Sequence, residues 1–459
     1  MLDKLIGDAL DITVDRLVSR SKETRKKEIT RIFGLLEKLN RKDPVASGQI
    51  HAIKKSWVEQ NSFGLLLNRF MEEVQPNVQK KFIKNFALNS GYGTKSKIRK
   101  NFYQKEGFFP PFTVLISPTM RCNLNCVGCY AANYIMEDDL EVEVIDRVIR
   151  EAKSIGIYFF TILGGEPFIY EPLWEIFDKH SDAAFQVYSN GTMLNERKVE
   201  RLVGLGNVAL MISVEGFEEN TKARRGDQVY QKVMYGFDLL KEAGALYGFS
   251  TTVNRHNVEE ICSDRFNELM INKGCVIGWH FLYMPIGHNP DINLMPTPKQ
   301  REYMRVNGAA RIRNKYPLFA IDFWNDAPYV GGCIAAGRDY LHINSNGDVE
   351  PCIFTHFAVD NIKEKSLSEA LTSPYFKAIR DRQPFDKNLL LPCQLIDHPD
   401  IFREIFNKYH PYPTHSGAES LVSELSDQLD TYSLRVKSVM DKAWEVDFKE
   451  RGFKYTGKK

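Results

Sequence analysis

The sequence predicts an α/β protein: a partial parallel barrel of six strand–helix units, with a helical segment before it and a smaller cysteine-bearing extension after it. Three observations predict this. Short apolar or β-branched runs alternate with helical stretches between residues 109 and 326. Residues 1–108 hold no cysteine and follow a helical period. Six of the eight cysteines fall into two sets, Cys122, Cys126 and Cys129, then Cys333, Cys352 and Cys393.

The helical segment opens with an apolar stripe of Leu2, Leu5, Ile6, Ala9, Leu10, Leu17 and Val18. It carries an excess of about ten positive charges, concentrated in clusters such as Arg25-Lys26-Lys27. Two roles suit such a helix. It can pack on the barrel, which Asp3, Asp8, Asp11 and Asp15 favour by interrupting the basic face, or it can lie on an anionic membrane surface.

The strands expected next are Phe112 to Ser117, Tyr158 to Leu163, Phe185 to Ser189, Ala209 to Val214, Gly248 to Val253 and Ile277 to Met284. Pro296-Thr297-Pro298 announces a further helix, and Leu318 to Trp324 offers one more strand. Asn346-Gly347, between Tyr340 to Ile343 and Asp348 to Glu350, predicts a hairpin whose two central positions take positive φ. The regions are therefore 1–108, helical; 109–326, the barrel; 327–400, the extension; and 401–459, a helical tail expected as a surface attachment.

Composition narrows the class without naming it. An apolar fraction of 43%, a charged fraction of 26% and a net charge of +2 are those of an ordinary globular chain with no nucleic-acid partner. The absence of an eighteen-residue apolar run and of a signal-peptide pattern makes the cytoplasm the expected compartment, with peripheral contact at the inner membrane surface as its variant. Eight cysteines in 459 residues are too sparse for a disulfide scaffold and stay available as thiols.

Arg121-Cys122-Asn123-Leu124-Asn125-Cys126-Val127-Gly128-Cys129 follows the first strand directly. Three thiolates on one loop can ligate three corners of an iron-sulfur cubane and leave the fourth iron open. A zinc site is the other reading of such spacing, although zinc normally takes four ligands in two separated pairs. Gly164-Gly165-Glu166-Pro167 ends the second strand, Ser189-Asn190 the third and Ser213-Val214-Glu215-Gly216 the fourth. Reacting groups of parallel barrels gather at these strand ends.

The cysteine run and the GGEP tetrapeptide resemble the signatures of the radical S-adenosylmethionine superfamily. That resemblance implies a radical SAM barrel with a 4Fe-4S cluster on Cys122, Cys126 and Cys129, S-adenosylmethionine on its open iron, and an external electron donor such as ferredoxin or flavodoxin. Reductive cleavage of the cofactor would give a 5'-deoxyadenosyl radical that abstracts hydrogen from an unactivated position. The cofactor site implied comprises Gly164, Gly165, Glu166, Pro167, Ser189, Asn190, Ser213 and Glu215, with Arg224 or Arg225 towards its carboxylate. Many members carry an aromatic residue just before the third cysteine. Here Gly128 stands there, and Tyr130 is the neighbouring candidate to face the adenine.

Cys333, Gly347 and Cys352 form a C-x13-G-x4-C pattern, similar to the start of the SPASM or twitch extensions that carry auxiliary clusters. With Cys393 this implies one auxiliary cluster whose fourth corner falls to His356, His398, a carboxylate or the substrate. Buried free thiols are the plainer reading, and Cys262 and Cys275 are expected as core thiols. Asp322, Asp326 and Tyr283 are candidate catalytic groups, with a satisfied turn as the other reading of the two aspartates. For substrate, a lipid chain modified or coupled through carbon stands first, a ribosomal peptide or tetrapyrrole second, and a non-catalytic iron-sulfur scaffold or sensor third.

Overall fold

The computed structural model describes residues 22–39, 44–91, 95–132, 139–287 and 289–453. The apolar stripe expected within residues 2–18 lies outside them. The described chain begins with three helices, α1 (Lys22–Leu39), α2 (Pro44–Glu59) and α3 (Ser62–Glu73). Asn61 caps α3 by accepting the Gly64 N–H at 3.1 Å, satisfying one of the amides that a helix start leaves unpaired.

The central sheet holds β1 (Thr113–Ile116), β2 (Phe159–Ile162), β3 (Ala184–Ser189), β4 (Val208–Ser213), β5 (Tyr247–Val253), β6 (Ile277–Leu282) and β7 (Phe319–Asp322). All pair in parallel with their sequence neighbours. The six expected strands and the added seventh form within a residue or two of their predicted ends. Their outward residues and the helices between them make one apolar core, including Val114, Ile116, Phe160, Val187 and Phe249.

The extension joins this sheet instead of standing apart. β8 (Tyr340–Ile343) pairs in parallel with β1, Leu341 opposite Val114, so the order runs β8-β1-β2-β3-β4-β5-β6-β7. β9 (Asp348–Glu350) then folds back antiparallel on β8. The expected hairpin is present, but its loop is longer than a two-residue turn. Only Gly347 takes positive φ, at 90°, because Asn344 accepts the amides of Asn346 and Asp348 and stretches the loop to four residues.

The expectation of a surface tail is corrected. In the helix Ser426–Trp444, Leu429, Tyr432, Val436, Met440 and Ala443 recur every three or four residues and are buried, and the Tyr432 hydroxyl donates to the Pro296 carbonyl at 2.9 Å. Tyr412–Pro413 pairs antiparallel with Phe357–Ala358. Among the described residues no helix is long and apolar enough to cross a membrane.

Candidate functional site

The loop after β1 carries the first three cysteines and is held from both sides. Gly165 and Glu166, after β2, donate their amides to the carbonyls of Thr119 and Arg121 at 3.0 and 2.9 Å. The two glycines serve this approach: a β-carbon at Gly164 would stand 2.1 Å from the Thr119 carbonyl oxygen, and one at Gly165 would stand 2.2 Å from that of Arg121. The sequence suggested that these glycines admit a cofactor. In the structure they first admit the cysteine loop itself.

Glu166 is fully buried and ties β2 to β3. Its carboxylate accepts the Asn190 amide at 2.8 Å, the Ser189 hydroxyl at 2.9 Å and the Phe168 amide at 3.2 Å. Burial raises its pKa, against the pull of those donors. Pro167 opens the short 3-10 turn Pro167–Ile169, where its missing N–H costs nothing. Asn190 donates from its side chain to Asn123 at 2.8 Å and sits 3.8 Å from the Cys122 sulfur.

Arg224 and Arg225 are not free for a carboxylate ligand. Both guanidiniums bind Glu215, at 2.8 and 2.5 Å, on a side chain with no exposed surface. Burial works to raise the Glu215 pKa, yet Arg225 and Arg224 outweigh it and hold it below the usual range. The helix Glu218–Arg225 that carries both arginines reaches the cysteine loop through the Val127 amide, which donates to the Arg224 carbonyl at 2.8 Å. Ser213 lines the bore and lies 3.4 Å from the Ser250 hydroxyl.

Gly128 departs from its usual form for a visible reason. It takes a φ of 62°, and a β-carbon there would stand 2.5 Å from Cε2 of Tyr283, which follows β6. Tyr283 thus occupies the space beside the third cysteine. Its hydroxyl accepts the Asp291 amide at 3.1 Å. Tyr130 also lines the cavity, edge-on to Phe354 at 5.5 Å. Gly287, with a β-carbon position 2.2 Å from the Cys129 carbonyl, completes the support and carried no signal beyond being a glycine after a strand.

Cys333, Cys352 and Cys393 face the same cavity as the first three thiols. The Tyr340 hydroxyl donates to the Cys352 sulfur at 3.0 Å, a contact that sequence reasoning missed because nothing local marks it. His398 instead hydrogen-bonds the Leu391 carbonyl at 3.0 Å, and the His356 ring lies tilted against that of His415, 4.7 Å between centroids; neither lines the cavity. Burial pushes the Cys122 thiol up to about 11 and that of Cys333 up to about 12, so metal binding there would have to displace protons. Among the described residues no three His, Cys, Asp or Glu side chains gather closely enough for a single metal ion. The donor set suits a cubane: three soft thiols on one loop, with cavity on the remaining side.

The extension is locked to the first site from beneath. Buried His342 on β8 hydrogen-bonds Ser117 at 2.7 Å and Glu350 on β9 at 2.6 Å, and Ser117 immediately precedes the cysteine loop.

Asp322 ends β7 and Asp326 stands in the turn that follows; neither lines the cavity. Asp322 accepts the amides of Trp324 and Asn325 at 2.9 and 3.2 Å, and Asp326 pairs with Arg313 at 2.6 Å. Cys262 and Cys275 are core thiols, raised by burial.

The cavity linking these groups is the barrel bore, of about 1040 Å³. Alternate strand residues point into it, among them Leu115, Tyr188, Met211, Trp279, Phe281, Ile321 and Phe323.

Residues 116–263 match the family model of the radical SAM superfamily, and residues 333–394 match that of the SPASM iron-sulfur cluster-binding domain. Among similar proteins, the AdoMet-dependent heme synthase of Methanosarcina barkeri is 26% identical over 292 residues, 57% of this chain and 83% of its own. Mycofactocin maturase MftC of Mycobacterium tuberculosis is 26% identical over 298 residues, 61% of this chain and 75% of its own. The crystal structure of Streptococcus suis SuiB bound to S-adenosylmethionine shares the fold, with a TM-score of 0.54 at 18% identity over 76% of this chain and 85% of that one.

Proposed function

We propose that this chain, with its radical SAM domain over residues 116–263 and SPASM domain over residues 333–394, holds a 4Fe-4S cluster on Cys122, Cys126 and Cys129 and takes its substrate in the bore between this site and the second cysteine set. When bound, cluster and cofactor supply a radical able to take hydrogen from an unactivated carbon. The chain supplies position. Gly164, Gly165 and Glu166 hold the cysteine loop at a fixed height above the bore. Ser189, Asn190 and Ser213 are the polar groups around the cofactor's side of it. Arg224 and Arg225 share the one carboxylate of Glu215, and the Arg224 carbonyl orients the loop by accepting the Val127 amide. The aromatic wall of Trp279, Phe281 and Phe323 keeps water from the reacting end.

Cys333, Cys352 and Cys393 hold a second cluster in this reading, with the Tyr340 hydroxyl on one of its sulfurs. An electron donor of the ferredoxin or flavodoxin type completes the reaction.

The substrate is a lipid chain, and the single observation that carries this is the apolar character of the bore. A peptide brings a donor and an acceptor per residue, which an apolar wall leaves unpaired at a cost of several kcal/mol, roughly 2–7 for each buried group. The second reading is a tetrapyrrole or peptide, favoured by the heme synthase and maturase relatives. Anaerobic reconstitution with iron, sulfide, dithionite and S-adenosylmethionine should release 5'-deoxyadenosine; a fully loaded chain that releases none sinks the reaction. Lipid and metabolite profiles of deletion and expressing strains then separate the substrates.

A further inference from the structure

A thiolate that ligates a metal carries negative charge, and the chain around it lowers the cost of that charge by pointing donors at the sulfur. Both cysteine sets do this in the same way. In five of the six cysteines the amide two residues further along the chain donates to the sulfur: Leu124 to Cys122 at 3.4 Å, Phe354 to Cys352 at 3.5 Å and Leu395 to Cys393 at 3.4 Å, with Ala131 and Ala335 doing so for Cys129 and Cys333. The second set therefore has the local geometry of the first, although its members come from three separate turns.

Those turns are fastened to one another and to the barrel. The Ala336 amide donates to the Pro351 carbonyl at 2.8 Å, and the Gln383 side chain donates to the Ala335 carbonyl at 3.2 Å. Asp397, buried and paired with Arg301, accepts the Cys393 amide at 3.0 Å.

A closer contact is added at Cys352. The Tyr340 hydroxyl lies 3.0 Å from its sulfur, nearer than those three amides, and the residue lines the bore. The first set has a looser counterpart, the Asn190 side-chain amide 3.8 Å from the Cys122 sulfur. A metal-bound cysteine has lost its proton, so a hydroxyl beside it can only donate. A donor on a cluster sulfur favours the more negative, reduced form and so raises the reduction potential. Tyr375 supplies a contrast. Its phenol is raised by burial first and then by Glu350 and Cys352, which places it near the same cysteine, yet its hydroxyl makes no hydrogen bond.

We infer that Tyr340 sets the reduction potential of the second cluster, its hydroxyl on the Cys352 sulfur holding that potential above what the thiolates and backbone amides alone would give. This rests on the reading of Cys333, Cys352 and Cys393 as cluster ligands. Tyr340 acts through Cys352 and is a positioning residue: it decides how readily a cluster beside the bore takes up or gives up an electron.

The test is an anaerobic redox titration of the full chain carrying its clusters, followed by electron paramagnetic resonance. The signal of the second cluster is identified in the full-length variant whose Cys122, Cys126 and Cys129 are alanine, which should retain iron. Tyr340→Phe keeps the ring and removes the donor. It should lower the midpoint of that signal, with roughly three- to tenfold less reduced cluster at a fixed potential near the midpoint, the worth of one hydrogen bond and up to about 59 mV for a one-electron couple. Tyr375→Phe removes a hydroxyl that bonds nothing and should leave the midpoint in place. Iron analysis and circular dichroism check each variant. If Tyr340→Phe does not hold its cluster, 3-fluorotyrosine at position 340, a more acidic donor, decides by raising the midpoint. A midpoint unmoved or raised by Tyr340→Phe, unmoved or lowered by the fluorinated ring, or lowered equally by Tyr375→Phe overturns the inference and leaves the cluster assignment standing. Absence of iron from the variant without the first three cysteines overturns both.

Discussion

Tyr283 lies against the backbone of Gly128, so that a β-carbon at position 128 would stand 2.5 Å from its Cε2. The contact joins the end of β6 to the residue before the third cysteine, and it accounts for the small residue there. Gly128→Ala adds both this clash and the strain of a left-handed φ, each of order 1–3 kcal/mol. The variant should load less iron and melt lower than the parent, and Gly128→Ala with Tyr283→Leu should recover part of the loss. Iron analysis and thermal melts read both.

Replacing Cys122, Cys126 and Cys129 together by alanine should remove about one cubane's worth of iron and abolish 5'-deoxyadenosine release. Replacing Cys333, Cys352 and Cys393 should remove a second portion and leave some uncoupled cleavage. Unchanged total iron in the second variant would reject a cluster there.

Glu215→Gln leaves two guanidiniums facing each other in the interior without a counter-charge. The loss of one partner from a buried ion pair costs about 3–5 kcal/mol. Denaturant titration should show a shift of that order, whereas Lys222→Gln, whose partner Asp227 is exposed, should shift by less than about 1 kcal/mol.

His280 on β6 is fully buried, and burial lowers its pKa to about 4. The unfolded chain therefore binds more protons than the folded one between about pH 6.5 and 4, so this residue's contribution is complete above that window and is lost as pH falls through it. From pH 7 to 5 the parent should lose about 2 kcal/mol more stability than His280→Phe. Equal losses in parent and variant would show that His280 does not titrate in this way.

Much of the site was legible because its parts are local. Cluster ligands must be close in space, and the three cysteines proposed for that role lie within eight residues of one loop, so their spacing stands out in the sequence. The GGEP tetrapeptide and the polar strand ends stood out because parallel barrels gather their reacting groups at the C-terminal ends of strands. Asp322 and Asp326 left two readings open for the same local reason: a carboxylate capping a turn has the same sequence appearance as one facing substrate, and only their hydrogen bonds favour the turn.

By itself the sequence marked the run of strands from β1 to β7 and both cysteine sets, which are written in periodicity and spacing along the chain, while the chemistry class came through the resemblance that the cysteine run and the GGEP tetrapeptide carry. Tertiary structure alone decided that β8 pairs with β1, that Glu215 takes both arginines, that Tyr283 fills the space over Gly128, and that helices near the start floor a cavity with cysteines from the far end. These are contacts between residues from 9 to more than 200 positions apart. Most rest on shape and burial, which leave no period to read. The open bore was the least legible feature of all, because a cavity is set by how side chains from every strand fail to meet, and no single residue carries that information.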